Sequence, residues 1–368
     1  MKKIIPIFIT VFALASCNAK EIEVVVTPIE ANNIIQPQIV TDWLAQEEYD
    51  YAEMKTPINA RTDLGDNLPI HFDFESTSNS KAYYVFIQEE GKEVNEAVKV
   101  DNNAFDFINY KINTRYTIWV NTSNNPKNNK NAYSFTTPDS YFRTITIDKV
   151  NNFRDLGDGR IMKQGMIYRS ATFENNESAD EENPWYISDL GKEQIKALNL
   201  KSEIDLRKDD EKKCVDSSYI GLKYLKAPLH YGGENILTYY KDENNNPLVI
   251  KNIFAFLGME ANYPIDFHCM RGTDRTGCIA FLIKGLLGYD WEALYRDYLF
   301  SNFYNIGSSV KKDNVYYSAN PNVSTRYGNV IDHAEGETLQ EKIYNYLSSD
   351  KVGVSTTTLD NIINILKA

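Results

Sequence analysis

The segment Phe267-His268-Cys269-Met270-Arg271-Gly272-Thr273-Asp274-Arg275-Thr276-Gly277 joins a strand predicted over 264–267 to an apolar helix predicted over 276–287. A cysteine, five intervening residues and an arginine in that setting suit one kind of chemistry. A tight loop leading into a helix turns backbone N–H groups inward, and the helix N-terminus adds positive potential. Together they cradle an anion the size of a phosphoryl group. Arg275 closes the cradle with a planar fork that takes two phosphate oxygens. Cys269 lies at the floor, where the same N–H groups, dipole and guanidinium favour the thiolate. A thiolate beneath a bound phosphate attacks phosphorus in line and forms a covalent intermediate. The cradle is predicted to comprise Met270, Arg271, Gly272, Thr273, Asp274, Arg275 and Thr276.

Other roles follow from what such a reaction needs. The leaving alcohol must be protonated. Asp274 lies inside the loop beside Arg275. Its rivals are Glu234, Asp242 and Glu243, in a Gly-, Asn- and Pro-containing stretch, 231–247, long and polar enough for a lid, with His230 as a further alternative. The Thr276 hydroxyl suits either a hydrogen bond to the thiolate or a helix N-cap. His268 precedes the loop and suits orienting it rather than moving protons. Arg271 either brings charge to the rim or is a solvated surface side chain. Arg154, Asp155, Asp205 and Arg207 are read as supports around the loop, opposite charges at strand ends that pair and position it, or as simple fold stabilisation. Cys278, on the apolar helix, reads as packing, and Cys214, after a run of charges, as exposed; a disulfide between them stays open.

These residues need a scaffold. From about residue 150, helical periodicity over 188–200, 250–259, 276–287, 291–303, 339–347 and 358–366 alternates with short strands over 202–206, 221–225 and 264–267. That order predicts an α/β domain over 150–368, a central, mostly parallel sheet flanked by helices. Before it come short runs rich in aromatic and β-branched residues: 70–74, 82–88, 97–100, 105–108, 116–120, 133–136 and 142–147, with a candidate first strand over 23–26. Polar, Asn-rich turns separate them, so a small all-β sandwich over 22–147 is expected.

At the N-terminus, Lys2 and Lys3 precede an apolar run over 4–15 and the sequence Leu14-Ala15-Ser16-Cys17. The run is short for a membrane span and has the layout of an export signal. No later segment approaches spanning length, so a soluble, tethered body is expected. After Cys17 three cysteines remain, too few for a disulfide scaffold, so at least one free thiol is expected. The 368 residues carry 39 basic and 51 acidic side chains, a net charge of −12, which argues against non-specific nucleic-acid binding.

Several stretches resemble known families. Leu14-Ala15-Ser16-Cys17 resembles a bacterial lipoprotein signal over 1–17, which implies lipidation of Cys17 and an exported protein anchored by lipid to the cell envelope. Tyr110-Lys111-Ile112-Asn113-Thr114-Arg115-Tyr116 resembles the tyrosine-corner segment of fibronectin type III domains. The loop, as Cys-x5-Arg-Thr, resembles the signature of cysteine-dependent phosphatases of the protein-tyrosine-phosphatase superfamily. Asn152-Phe153-Arg154-Asp155-Leu156-Gly157, Gly165-Met166-Ile167-Tyr168-Arg169-Ser170-Ala171, Asp205-Leu206-Arg207 with Glu211, and Asp297-Tyr298-Leu299 with Asn302 resemble segments of its bacterial atypical tyrosine/lipid phosphatase branch. The resemblance implies an α/β phosphatase fold, no metal and no cofactor. It implies activity on phosphotyrosine, phosphoserine/threonine or phosphoinositides, with Cys269 as nucleophile, Arg275 as phosphate clamp and Asp274 favoured as acid. The family loop usually carries lysine where this chain has Thr273, which counts against a phosphoinositide preference. The expected partner is a phosphorylated protein or small phosphomonoester. An inositol-phosphate or phosphoinositide phosphatase is the alternative within enzymes, and a non-catalytic phospholigand-binding lipoprotein the alternative outside them.

Overall fold

The computed structural model describes residues 24–28, 36–46, 65–76, 80–94, 96–173, 187–208, 220–230, 235–241, 244–304, 306, 310 and 327–368. The segment 1–17 with Cys17, and Glu211, Cys214, Glu234, Asp242 and Glu243, lie outside the described residues. The chain divides into two compact units. One is built of Met1–Ile29, His71–Phe105 and Tyr116–Phe135, the other of Glu30–Ile70, Asp106–Arg115 and Thr136–Ala368.

The first seven strands are β1 (Val24–Pro28), β2 (Ile70–Ser76), β3 (Tyr83–Glu89), β4 (Val98–Val100), β5 (Ala104–Phe107), β6 (Arg115–Asn121) and β7 (Tyr133–Thr136), with a short helix α1 (Gln38–Leu44) between the first two. They form a three-stranded sheet in the order β1-β2-β5 and a four-stranded sheet in the order β4-β3-β6-β7. Alternation sets which face is dry: Ile70, Phe72 and Phe74 of β2 are buried while Asp73 and Glu75 are exposed. Phe72 packs on Phe135 and Phe74 on Tyr83, each with ring centroids 5.1 Å apart, so apolar side chains of one sheet meet those of the other.

The larger unit is built on a five-stranded sheet in the order β11-β10-β14-β9-β8. Its strands are β8 (Arg154–Asp155), β9 (Ile167–Ser170), β10 (Ser202–Asp205), β11 (Lys223–Lys226) and β14 (Ile265–His268); β12 (Tyr240–Lys241) and β13 (Asn244–Asn245) make a separate small hairpin. The four strands β9, β14, β10 and β11 run parallel, and β8 lies antiparallel along the β9 edge. All residues of β9, β10 and β14 are buried, as befits strands covered on both faces. The covering helices include α2 (Asp189–Ala197), α3 (Asn246–Leu257), α4 (Asp274–Leu286), α5 (Trp291–Leu299), α6 (Tyr327–Asp332), α7 (Leu339–Ser348) and α8 (Thr356–Leu366). Helix starts follow the expected chemistry: Ser188, Asn245, Asp290, Thr338 and Ser355 accept from backbone N–H groups of the first turn. Every residue of α4 after Asp274 is buried, and a helix apolar nearly all round runs through a core.

One strand expectation fails. Residues 142–147 form no strand; they make isolated bridges, Thr144 to Arg154 and Ile147 to Val150, along the edge at β8. The pairing is one antiparallel bridge long, with the Ile145 N–H donating to the Phe153 carbonyl (3.0 Å) and the Asp155 N–H to the Arg143 carbonyl (2.9 Å), while Phe142, Ile145 and Ile147 are buried in the larger unit.

Candidate active site

The loop Cys269–Thr273 connects β14 to α4, whose first residue is Asp274. Its shape is enforced from outside. Gly272 sits at φ +67°, and a Cβ there would lie 2.4 Å from the Ser170 carbonyl oxygen. Both the left-handed backbone and the close approach therefore require glycine. The Gly272 carbonyl accepts from Arg169 (2.6 Å) and from Asn152 Nδ2 (3.1 Å), which also binds the Arg271 carbonyl (3.1 Å). The Met270, Arg271 and Gly272 carbonyls are thus all engaged by residues outside the loop, Thr172, Asn152 and Arg169. Arg169 and Arg154 are register partners on β9 and β8, so they project from one face, and both reach Asp297 of α5. Arg154 donates Nε to Asp297 Oδ1 at 3.2 Å and also bonds Asn152 Oδ1. Asp297 thus holds two buried guanidiniums that in turn hold the loop. Gly272→Ala is expected to cut turnover at least about tenfold while costing stability, because backbone rather than a mobile side chain must yield; steady-state kinetics beside thermal unfolding would show both.

At the centre, Cys269 is 4 % exposed. Burial alone would raise its thiol, but the Arg275 guanidinium and the hydroxyl and N–H of Thr276 outweigh it, and the thiol lies below its ordinary value. Arg275 is buried and anchored to the Leu206 carbonyl (3.3 Å). Thr276 lies inside α4, with Thr273 at the cap position, so its hydroxyl is not an N-cap. Behind Cys269, His268 Nδ1 is 3.0 Å from the Cys269 carbonyl and Nε2 is 2.5 Å from Glu203. Burial disfavours the imidazolium, yet Glu203 and then Asp205 overcome that and raise it to about 9. Asp205 forms a two-point pair with Arg207 (2.9 Å on each oxygen), and Arg207 reaches Thr172 (2.9 Å). The cluster can hold a thiolate against a bound anion, with an arginine fork closing over it.

A model described as the tyrosine phosphatase family matches residues 145–366, more than half of the chain. The chain belongs to the tyrosine phosphatase family. It is 26% identical over 183 residues to a Cupriavidus necator protein named "Putative tyrosine-protein phosphatase", a match covering 43% of this chain and 63% of that protein, so under two thirds of the relative's length is spanned. The core catalytic domain of the PP-IP phosphatase Siw14 from S. cerevisiae, in complex with citrate, shares 17% identity at a TM-score of 0.27, over 44% of this chain and 81% of that one. A second structure of the Siw14 catalytic core gives 18% and 0.28, over 44% and 79%.

Within this tyrosine phosphatase family member, the structure brings Cys269, Asp274, Arg275, Thr276 and His268 together at the β14–α4 junction. Arg154 and Asp155 do not pair with each other. Adjacent strand residues face opposite sides, and Asp155 instead takes Arg143 at 2.6 Å. Met270 gives its carbonyl to the Thr172 N–H at 3.3 Å, and Arg271 is exposed. Thr273 is buried, its hydroxyl donating to the Arg271 carbonyl (3.2 Å). Cys278 is a buried free thiol, raised well above its ordinary value by burial. His230 stacks on Tyr239 with ring centroids 6.0 Å apart. Sequence reasoning gave no role to Glu203, Asn152, Arg169, Ser170, Asp266, Asp297 or Tyr298. Acids at 203 and 266 within the strands predicted over 202–206 and 264–267 were a signal, since a charge in a doubly covered strand needs a partner. Burial raises the Asp266 carboxyl to about 8, and Ser170 donates to it at 2.9 Å.

Proposed function

We propose that the chain hydrolyses phosphate monoesters of phosphorylated protein, phosphotyrosine or with dual specificity, through a cysteinyl-phosphate intermediate on Cys269. The arrangement that carries this reading is the buried Cys269 on the loop leading into α4, with Arg275 and Thr276 of that helix beside it and holding its thiol below the ordinary value. Cys269 Sγ attacks phosphorus as the bond from phosphorus to the ester oxygen breaks. Asp274 gives its proton to the departing alcohol, and Arg275 with the loop N–H groups takes up the charge on the equatorial oxygens. Water then attacks the phosphocysteine, Asp274 receives a proton from it, and phosphate leaves with the thiolate restored. His268, Arg154, Asp205 and Arg207 keep the loop in register, whereas Asp155 pairs with Arg143 and accepts from the Gly157 and Gly165 N–H groups. Position 273 favours a single phosphate: its hydroxyl is spent on the loop backbone, and it offers no second cation for a polyphosphorylated ring.

The reading extends to the rest of the chain. Residues 1–17 act as a lipoprotein signal with Cys17 lipidated, the enzyme is exported and anchored to the cell envelope, and its substrates are extracytoplasmic. The strands before residue 147 form a fibronectin type III-like sandwich, a reading supported by the strand orders β1-β2-β5 and β4-β3-β6-β7. Comparing hydrolysis of a phosphotyrosine peptide and of inositol hexakisphosphate, with chelator and reductant present, tests the substrate class. The peptide is expected to turn over faster; preference for the inositol phosphate would overturn the protein-phosphatase reading.

The thiol gives a pH test. A group whose thiolate is favoured in the fold reacts at lower pH than a free thiol. Inactivation by iodoacetamide is therefore expected to titrate below the ordinary cysteine value of about 8.5. Thr276→Ala should move that titration upward, and saturating phosphate should protect.

A further inference from the structure

Asp274 is half-buried at the first position of α4. Among the described residues it enters no ion pair, and its side chain receives one hydrogen bond, from the Tyr298 hydroxyl to Oδ1 at 2.9 Å. Tyr298 is 3 % exposed, so its ring is fixed by packing while its hydroxyl reaches the end of the loop. It comes from α5, whose adjacent residue Asp297 binds Arg154 and Arg169, and Arg169 holds the Gly272 carbonyl. The helix is itself braced: Asp290 caps it by accepting from the Ala293 N–H (2.8 Å), and Trp291 packs on Phe281 of α4 with centroids 5.7 Å apart. One rigid element therefore grips both the backbone of the phosphate loop and one oxygen of the carboxyl at its end.

A carboxyl on a helix N-terminus has two soft torsions, and an acid that wanders between solvent and substrate is present in the right place only part of the time. Tying Oδ1 leaves Oδ2 as the oxygen that carries the proton toward the leaving alcohol. We infer that Tyr298 is a positioning residue for proton transfer, fixing Asp274 so that Oδ2 faces the leaving-group oxygen; the inference rests on the phosphatase reading above. It gives Tyr298 a duty distinct from that of Asp297. Asp297 serves the nucleophile's loop and affects every substrate, whereas Tyr298 serves only those whose leaving group needs a proton.

The test uses leaving-group dependence. A p-nitrophenolate leaves without much help, whereas phenolate or an alkoxide needs the acid. The parameter is kcat/KM, which reports the steps up to formation of the covalent intermediate and not its later hydrolysis. Tyr298→Phe keeps the ring and removes the hydroxyl. It is expected to lower kcat/KM for phenyl phosphate about tenfold and for p-nitrophenyl phosphate less than about twofold. Asp274→Asn should show the same pattern with a loss of about 10²-fold on phenyl phosphate, and adding Tyr298→Phe to it should cost nothing more. Equal losses on both substrates, or a further fall in the double variant, would overturn the assignment and make Tyr298 structural. Absence of turnover of either substrate by the wild type would instead overturn the phosphatase reading, and the inference with it.

Discussion

Cys269→Ser is expected to lower hydrolysis of p-nitrophenyl phosphate by at least about 10⁴-fold. The two side chains are nearly the same size, so the buried position stays filled and the loop keeps its shape. What changes is the nucleophile. Arg275 and Thr276 hold the thiol of Cys269 below its ordinary value, but a serine hydroxyl is a far weaker acid and the same site does not ionise it. Phosphate binding should survive, because the loop backbone and the Arg275 fork are untouched. Kinetics paired with a phosphate titration followed by tryptophan fluorescence separates the two: catalysis lost with binding kept. A serine variant that retains a tenth of wild-type activity would rule out the thiol as nucleophile.

Asp297→Asn is expected to cost about 3–5 kcal/mol of stability, the range found when one partner of a buried ion pair is removed. Here a single carboxylate serves two fully buried guanidiniums, Arg154 and Arg169, and the amide would leave both under-compensated. Turnover should fall as well, since Arg169 carries the Gly272 carbonyl. The pH dependence has a definite sign. Burial alone would raise the Asp297 carboxyl, but Arg169, then Arg154 and Lys284, overcome it and hold the group well below the usual carboxylate range. A carboxyl depressed in the fold stabilises above its unfolded value of about 3.9 and loses that contribution as pH falls toward the folded value. Denaturant unfolding of the wild type should weaken below about pH 4, and the asparagine variant should show a shallower loss over the same window. An asparagine variant within about 1 kcal/mol of wild type at pH 7 would mean the loop is held by other contacts.

The candidate loop was legible because it is local in sequence. The strand, the cysteine, the glycine, the arginine and the buried helix lie within about twenty residues, and each has a reason to be next to the others. The parallel sheet and its helices were likewise readable from alternating periodicities, and the runs 188–200 and 358–366 correspond to the helices α2 and α8. What the sequence hid is the pairing of distant side chains. Asp297 lies 143 residues from Arg154, and Glu203 lies 65 from His268. Nothing in local spacing says that β8 and β9 place two arginines on one face, or that α5 delivers a single carboxylate to both. The two-residue strand β8 is too short to carry any periodicity. The run 142–147 carries a strand-like pattern because its apolar residues are buried along the sheet edge, where it pairs with β8 by a single bridge too short to make a strand. Asn152, Arg169, Asp297 and Tyr298 were visible as parts of motifs but silent about role; their work is to pull carbonyls outward and to hold an acid, which shows only when the loop is seen from behind.

The central claim is that the phosphoryl group passes through Cys269. It is tested most directly by mixing the enzyme with an excess of aryl phosphate, quenching in acid during steady-state turnover, and mapping the digested protein by mass spectrometry. The expected result is a phosphoryl group on the peptide that contains Cys269, absent from the Cys269→Ser variant and absent when substrate is omitted. Release of inorganic phosphate at the same rate, with no phosphate on that peptide at any quench time, would contradict the account and require water to attack the ester directly.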